Sequence, residues 1–182
     1  PSALRTRPCD PTSAGNGDVY VMKSSVCDAE NIPICMVSVD STSTENIIIW
    51  EKPLATNIDS FIIFREITWN NFQPIGSVDY NDVSEFIDDN TQVDPNNKSY
   101  KYKIAVLDSC NNIGELSNLH ETICLVALTD TNNNNPVLQW NDYQGFNFTT
   151  YRILLDSMGT NDWIEVGTTP ADSNTYFDPS LP

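Results

Sequence analysis

Five cysteines and one histidine carry the most reactive side chains in this sequence. The histidine is His120, and the cysteines are Cys9, Cys27, Cys35, Cys110 and Cys124. No two cysteines form a Cys-x-x-Cys pair, and a single histidine cannot complete a usual zinc finger, so the sequence argues against a zinc site. Disulfide bonds formed in an oxidising compartment are the better interpretation.

Catalytic chemistry finds little support in the residue patterns. A serine hydrolase would have to use His120, which lies beside Glu121 in a predicted strand, and no Gly-x-Ser-x-Gly motif accompanies it. Carboxylate pairs suited to glycoside hydrolysis arise by chance in so acidic a chain, and no glycine-rich phosphate loop is present. We therefore predict no enzyme, no catalytic residue and no cofactor.

Acidic residues cluster in three predicted loops, at 79–82, 88–90 and 94–97. Calcium takes about six to eight oxygen ligands of this kind. None of the loops matches the Asp-x-Asp-x-Asp-Gly pattern of a calcium-binding loop, and Asp and Asn are also favoured in turns for their backbone geometry. The turn interpretation is preferred, and no metal site is predicted.

Three aromatic residues lie in predicted connections between strands. Trp69 and Phe72 belong to one connection, and Trp163 lies at nearly the same place in the second half of the chain. Exposed aromatics there would stack on sugars or anchor a protein partner. The preferred alternative is that each covers the open edge of its own domain.

The charge of the chain excludes several partners. The chain has nine basic and 25 acidic residues, which gives a net charge of −16. Such a surface repels nucleic acid and anionic membranes, and no stretch is long and apolar enough to span a bilayer. We predict neither a nucleic-acid partner nor membrane insertion, and an extracellular or cell-surface location.

The chain from Cys35 onward has the pattern of successive β-strands. The predicted strands include 35–39, 47–50, 61–66 and 99–108, and the run 119–128 closes the set. Strands at this spacing, separated by Asn, Asp, Pro and Gly, are typical of an antiparallel β-sandwich. No segment shows a sustained helical period of apolar residues, so almost no helix is expected.

A sequence pattern occurs twice. The recurring pairs are each separated by 90 residues: Trp50 and Trp140, Phe61 and Tyr151, Ile63 and Ile153, Phe86 and Tyr176, and Asp88 and Asp178. A fixed offset through several strands indicates two copies of one module. The predicted modules are 33–126 and 127–182, after an N-terminal segment 1–32 that is either a linker or the end of a preceding domain.

The first copy resembles a fibronectin type III domain. The resemblance is carried by Trp50, followed by Glu-Lys-Pro, and by the Tyr-x-Tyr-x-Ile-x-Val run from Tyr100 to Val106. Segments 34–53, 58–66 and 100–125 are also similar to fibronectin-type modules of Bacteroidota secreted and cell-surface proteins, many of which carry a sorting domain for the type 9 secretion system. The resemblance implies a non-catalytic spacer, with the rest of a parent chain and the secretion or anchoring machinery as partners.

In the topology that this resemblance implies, strand A begins at the pole where strand F ends. Cys35 and Cys110 then approach closely enough for a disulfide, and the narrower family has cysteines at both positions. Cys124, expected in the middle of strand G, is predicted to be unbridged. Cys9 and Cys27 are predicted to form a disulfide bond within the N-terminal segment.

Two kinds of glycosylation motif occur in the sequence, and those of the second kind fall in predicted turns. Asn97-Lys98-Ser99 and Asn147-Phe148-Thr149 match the Asn-x-Ser/Thr acceptor. Asp40-Ser41-Thr42 and Asp156-Ser157-Met158 resemble the short Bacteroidota O-glycosylation acceptor, with Ser41 and Ser157 as the modified residues.

The second copy is expected to be incomplete. It has equivalents of strands A to E, but those of F and G would follow about residue 189. The strand around Tyr151 to Leu155 should then expose a hydrogen-bonding edge, ready for strand addition from continuing chain or a donating partner. The functional alternatives to a spacer are a glycan- or protein-binding module and an accessory domain of a secreted hydrolase.

Overall fold

The computed structural model describes residues 31–42, 44–54, 57–129, 136–160 and 162–177. Within these ranges the regular structure is entirely β-strand, and there is no helix long and apolar enough to cross a bilayer. The strands are β1 (Ile34–Val39), β2 (Asn46–Trp50), β3 (Ile58–Thr68), β4 (Asn71–Asp79), β5 (Glu85–Asp88), β6 (Lys101–Asp108), β7 (His120–Glu121), β8 (Leu125–Thr129), β9 (Pro136–Trp140), β10 (Thr150–Leu155), β11 (Ile164–Pro170) and β12 (Thr175–Phe177).

The first seven strands form two sheets. One sheet has the order β1-β2-β5 and the other has the order β4-β3-β6-β7. Labelled by chain order, these are strands A-B-E and C′-C-F-G, which is the arrangement of a fibronectin type III sandwich. The predicted all-β, immunoglobulin-like fold class is confirmed.

The remaining strands repeat part of this arrangement. They form one sheet in the order β12-β9-β8 and a separate β10-β11 pair. Strands β9 and β12 begin 90 residues after β2 and β5, so they occupy the B and E positions of the second copy. Within 136–160 and 162–177 no strand takes the positions that β6 and β7 hold in the first copy.

Contacts between Cα atoms divide the chain into two compact units. One contains Ile49–Phe86 and Tyr102–Asn118, and the other contains Met36–Ile48, Ile87–Lys101 and the chain from Leu119 onward. This division does not follow the predicted module boundaries at 33–126 and 127–182, which stay a prediction.

The core of the first unit is built from alternate residues of neighbouring strands. Trp50 is 2% exposed, and Phe61, Ile63, Tyr102 and Ile104 are fully buried. The antiparallel ladder of β3 and β6 places Ile63 opposite Ile104, so these side chains share one face. The prediction that Trp50 and Tyr102 are large core residues is confirmed.

The run 119–128 is two strands and not the single strand predicted. Residues His120–Glu121 form β7, whereas Leu125–Thr129 form β8, which pairs with β9. The Asn141 side chain interrupts the run, because its Oδ1 accepts a hydrogen bond from Cys124 N (2.7 Å) and its Nδ2 donates to Thr122 O (2.9 Å). Cys124 therefore lies between two strands and not in the middle of strand G.

Candidate functional site

The connection between β9 and β10 is rich in aromatic side chains that pack in a continuous row. Ring centroids lie 4.9 Å apart for Tyr143 and Phe146, 5.9 Å apart for Tyr143 and Phe148, and 4.7 Å apart for Phe148 and Tyr151. Tyr151 in turn packs against Trp140, at 5.3 Å. Aromatic pairs at these separations contribute beyond their buried area, so the connection has an ordered aromatic surface.

Strand β7 anchors this aromatic connection. His120 Nδ1 lies 3.1 Å from the Tyr143 hydroxyl, Glu121 N donates to Gln144 O (2.8 Å), and Gln144 Nε2 donates to Glu121 Oε2 (2.6 Å). Gly145 passes so close to His120 that a Cβ atom there would lie 2.5 Å from Nδ1. Only glycine fits this approach without displacing the imidazole.

Burial keeps the His120 and Tyr143 side chains uncharged. Desolvation lowers the pKa of His120 below its ordinary value of 6.5. Desolvation also raises the pKa of Tyr143, and a backbone hydrogen bond from Val37 opposes this only in part. Both side chains are neutral at pH 7, so the contact between His120 and Tyr143 adds no charge to the aromatic surface.

Two grooves lie along strand β10. The larger, about 490 Å³, is lined by β1 residues Met36 to Val39, by the aromatic connection and by Thr150 to Arg152 of β10. The smaller, about 150 Å³, is lined by β8 and β9 residues and by Tyr151 to Leu154. Both grooves include Ile123, Tyr151 and Arg152, so together they follow β10 over nearly its whole length. We call them the β10 groove.

Sequence reasoning missed this groove. The available signal was the run from Tyr143 to Tyr151, which holds three aromatic residues in the connection and a fourth at the start of the following strand. The aromatic residues of this connection do not recur with the period of a strand or a helix. Their packing against His120 and β10 was therefore visible only in the structure.

The structure places the three predicted binding aromatics at hairpin connections. Trp69 lies at the turn between β3 and β4 and is 88% exposed, and Trp163 directly precedes β11 and is 55% exposed. Phe72 is half-buried on β4, with Lys103 Nζ 5.0 Å from its ring centroid. Both tryptophans are thus accessible to solvent, and their predicted role in binding stays a prediction.

The predicted Cys35–Cys110 disulfide is wrong. Cys35 is a free thiol on β1, where its side chain is exposed while those of Ile34 and Val37 are buried. Cys110 is disulfide-bonded, and Cys35 is not its partner. Burial does not alternate along β1, because Cys35 and Met36 are both exposed between the buried Ile34 and Val37. The position of Cys35 at the start of strand A therefore did not determine the direction of its side chain.

The other cysteine predictions have different outcomes. Cys124 is a free thiol, as predicted, and burial raises its pKa, with a further rise from the Asp94 charge. A protonated thiol is a weak nucleophile, so Cys124 is not suited to covalent chemistry. Cys9 and Cys27 lie outside the described residues, and their predicted pairing stays untested.

The acidic loops use their carboxylates to hold turns. Asp79 Oδ1 accepts hydrogen bonds from Asn81 N (2.8 Å) and Nδ2 (2.9 Å), and these bonds lower the pKa of Asp79. Asp94 Oδ1 similarly accepts from Asn96 N at 3.1 Å. In the part of the chain that the structure describes, no cluster of three or more His, Cys, Asp or Glu residues could hold a metal ion.

The predicted O-glycosylation residues lie in exposed turns. Ser41 follows Asp40, whose Oδ1 accepts hydrogen bonds from Thr44 N (2.7 Å) and Glu45 N (2.8 Å). Ser157 follows Asp156, whose Oδ1 accepts from Met158 N and Thr160 N, both at 3.2 Å. Both serines are accessible to a modifying enzyme, and their modification stays a prediction.

No family model and no curated protein matches the sequence. Solved structures do show a likeness in fold. An Fn3-like protein from Clostridium thermocellum is 12% identical with a TM-score of 0.40, over 52% of this chain and 88% of that one. The FN1-FN3 domains of chicken CNTN1 are 10% identical with a TM-score of 0.39, over 82% of this chain and 55% of that one.

A β-1,2-glucanase from Parabacteroides distasonis is 18% identical with a TM-score of 0.42, over 54% of this chain and 13% of that chain. These TM-scores are too low to carry an argument about function. The assignment to the fibronectin type III-like class rests on the strand order of the two sheets formed by β1 to β7.

Proposed function

We propose that the chain is a non-catalytic structural and spacer region of a larger secreted or surface-anchored bacterial protein. Modules 33–126 and 127–182 would hold a functional domain of that protein away from the cell, after an N-terminal linker at 1–32. Its partners would be the rest of the parent chain and the secretion or anchoring machinery, for which a type 9 route in Bacteroidota is the candidate.

The contacts that recur in both copies support this proposal most directly. The B-strand tryptophan packs on the C-strand aromatic at 5.3 Å in each copy, in Trp50–Phe61 and in Trp140–Tyr151. Repeating one sandwich in series along the chain increases the distance between the parts of the protein on either side of the repeats. A net charge of −16 favours a solvated surface outside the cell.

Force spectroscopy on the full chain, tethered at both termini, tests the spacer role. A load-bearing module at 33–126 should unfold in one cooperative event that lengthens the chain by about 30 nm, at about 3.5 Å for each residue. Gradual extension without a discrete event would contradict a mechanical role.

The exposure of Trp69 and Trp163 supports a second candidate, a glycan-binding module. Electrophoresis through gels containing soluble polysaccharides would detect it. Retardation that Trp69→Ala or Trp163→Ala abolishes would favour binding over spacing. Ile67→Ala is a suitable control, because Ile67 is also exposed and lies two residues from Trp69.

A further inference from the structure

Strand β7 and the β9–β10 connection are joined by an isolated antiparallel β-bridge. Glu121 pairs with Gln144, and Glu121 N donates a hydrogen bond to Gln144 O (2.8 Å). Residues that flank such a bridge also lie opposite each other, so His120 faces Gly145. Successive side chains of a strand point to opposite faces. Strand β7 therefore holds the connection on one face through Glu121 and on the other through His120.

The Glu121 carboxylate holds the first face of the bridge. Its Oε1 accepts a hydrogen bond from Ser99 Oγ (2.5 Å), and its Oε2 accepts one from Gln144 Nε2 (2.6 Å). Lys101 Nζ lies 3.9 Å from Oε2, and the Glu121 side chain is only 9% exposed. Both carboxylate oxygens are thus engaged on their own face, and they do not neutralise a charge on the other face.

The His120 imidazole holds the second face and is buried there. Its Nδ1 lies 3.1 Å from the Tyr143 hydroxyl, whose oxygen already takes a hydrogen bond from the backbone of Val37. A tyrosine hydroxyl has one hydrogen to donate, so this arrangement favours donation from Tyr143 to an unprotonated Nδ1. The backbone at Gly145 closes over the ring, because a Cβ atom there would lie 2.7 Å from Cε1.

A proton on Nδ1 is incompatible with this arrangement. The ring would then present an N–H group to the Tyr143 hydroxyl, whose hydrogen would lose its acceptor, and a buried positive charge would need compensation. The other titratable groups on the surrounding elements are Glu121 on β7, Lys101 and Tyr102 on β6, Asp142 on the connection and Cys35 on β1. Asp142 is exposed to solvent and Glu121 points to the opposite face, so neither carboxylate compensates a charge on the ring.

We propose that His120 is an acid-sensitive lock, which holds the β9–β10 connection on β7 while the ring is neutral and releases it when the ring is protonated. Burial lowers the pKa of His120 in the closed state, whereas in the open state it returns toward the ordinary value of about 6.5. The open state therefore binds the proton more tightly. The ratio of open to closed chains should rise as the pH falls below about 6.5, by at most about tenfold for each pH unit.

The release should be local. Glu121 and the connection belong to one compact unit, whereas Ile63 and Ile104 belong to the other and are fully buried. The amides of Ile63 and Ile104 therefore report on global unfolding, and those of the bridge report on the lock. In a spacer, the release would loosen the tie between β7 and the second copy. That consequence rests on the proposed function, whereas the release itself can be measured without it.

Amide hydrogen exchange of the full 182-residue chain, between about pH 7.5 and 5.5, tests the lock where a histidine titrates. Rates are converted to protection factors, because intrinsic exchange itself changes with pH. Protection of Glu121 N and of Tyr143 N, which donates to the Tyr151 hydroxyl (3.1 Å), should fall toward low pH. Protection of Ile63 and Ile104 should hold. Constant protection of the bridge, or an equal loss at Ile63 and Ile104, would overturn the proposal.

Two variants of neighbouring residues identify the group that takes up the proton. His120→Gln removes the ionisable ring and should make protection of the bridge independent of pH over this range. Glu121→Gln is the matched control, because it removes the other ionisable group of the bridge and should keep the pH dependence with the same midpoint. The reverse pattern, with dependence kept in His120→Gln and lost in Glu121→Gln, would assign the effect to the carboxylate and contradict the lock.

The hydroxyl of Tyr143 is tested through the titration of His120, measured by nuclear magnetic resonance. Tyr143→Phe keeps the ring but removes the hydrogen bond to the neutral imidazole, so the His120 midpoint should move up toward about 6.5. Release of the connection should then begin at a higher pH. Tyr80→Phe is the control, since the Tyr80 hydroxyl donates to Pro53 O (2.8 Å) in the other unit, and it should leave the midpoint unchanged. A midpoint that Tyr143→Phe does not move would overturn the proposed lock.

Discussion

Trp140 and Tyr151 pack with their ring centroids 5.3 Å apart, the separation that also joins Trp50 to Phe61. The backbone repeats with the rings, because Trp50 N donates to Ser84 O (3.3 Å) and Trp140 N donates to Asn174 O (3.1 Å). Each tryptophan is buried, and each has an Nε1 without a hydrogen-bond partner among the residues that the structure describes. The residues that recur every 90 positions in the sequence therefore make the same contacts in both copies.

Replacing Trp50 by alanine should lower the free energy of unfolding by about 3–5 kcal/mol, because it empties a large buried site. Chemical denaturation followed by circular dichroism measures this loss. Trp50→Phe is the control and should cost less, since it keeps a ring and removes the buried Nε1–H without a partner. A loss below about 1 kcal/mol for Trp50→Ala would contradict the core assignment.

Gly76→Ala should destabilise the protein by about 1–3 kcal/mol through overpacking. A Cβ atom at Gly76 would lie 2.5 Å from Cε2 of Phe86, and one at Gly167 would be still closer to the Tyr176 hydroxyl oxygen. The loss should shrink in a Phe86→Leu background, because the two changes share one contact. Equal losses in both backgrounds would show that ring contact is not the cause.

Stability should fall as the pH drops below about 6.5, the ordinary pKa of an exposed histidine. Burial lowers the pKa of His120 in the folded protein, so the unfolded chain binds its proton first and the folded state loses stability toward lower pH. Denaturation at intervals between about pH 7.5 and 5.5 measures the effect.

His120 is the only histidine in the sequence, so its nuclear magnetic resonance titration can be assigned without ambiguity. His120→Gln should remove this part of the pH dependence. A folded-state pKa at or above 6.5, or the same pH dependence in the variant, would contradict the expected desolvation.

Alkylation of the unreduced, unfolded chain should label Cys35 and Cys124 and leave Cys110 unlabelled. The first two are free thiols and Cys110 is disulfide-bonded. Peptide mapping by mass spectrometry with and without reductant measures the pattern. Cys35→Ser should then leave stability nearly unchanged. A disulfide-linked peptide that contains Cys35 would instead support the Cys35–Cys110 pairing predicted from the sequence.

Amide hydrogen exchange in the free chain should be slow from Tyr102 to Val106 and much faster from Tyr151 to Leu155. Strand β6 lies inside a four-stranded sheet, whereas β10 is one half of a two-stranded pair, and such isolated pairs are marginally stable. Equal protection of the two segments in a monomer would contradict the incomplete second copy.

The strands and their repetition were determined by the sequence alone. Alternating apolar residues, as from Tyr100 to Val106, specify a strand because successive side chains point to opposite faces. The offset from Trp50 to Trp140 specified the second copy because the same contacts require the same residue types at the same spacing. These are local signals, and the structure has strands at each of these places.

The tertiary structure decided the features that depend on residues far apart in sequence. Asn141 divides the apolar run 119–128 through hydrogen bonds to Thr122 and Cys124, and nothing within that run signals the break. The aromatic connection packs on His120 because glycine at 145 permits a close approach. The exposure of Cys35 depends on the packing around β1, where Cys35 and Met36 are both exposed. These contacts depend on which surfaces meet after the strands have formed. The periodicity of residues along the chain does not encode that information.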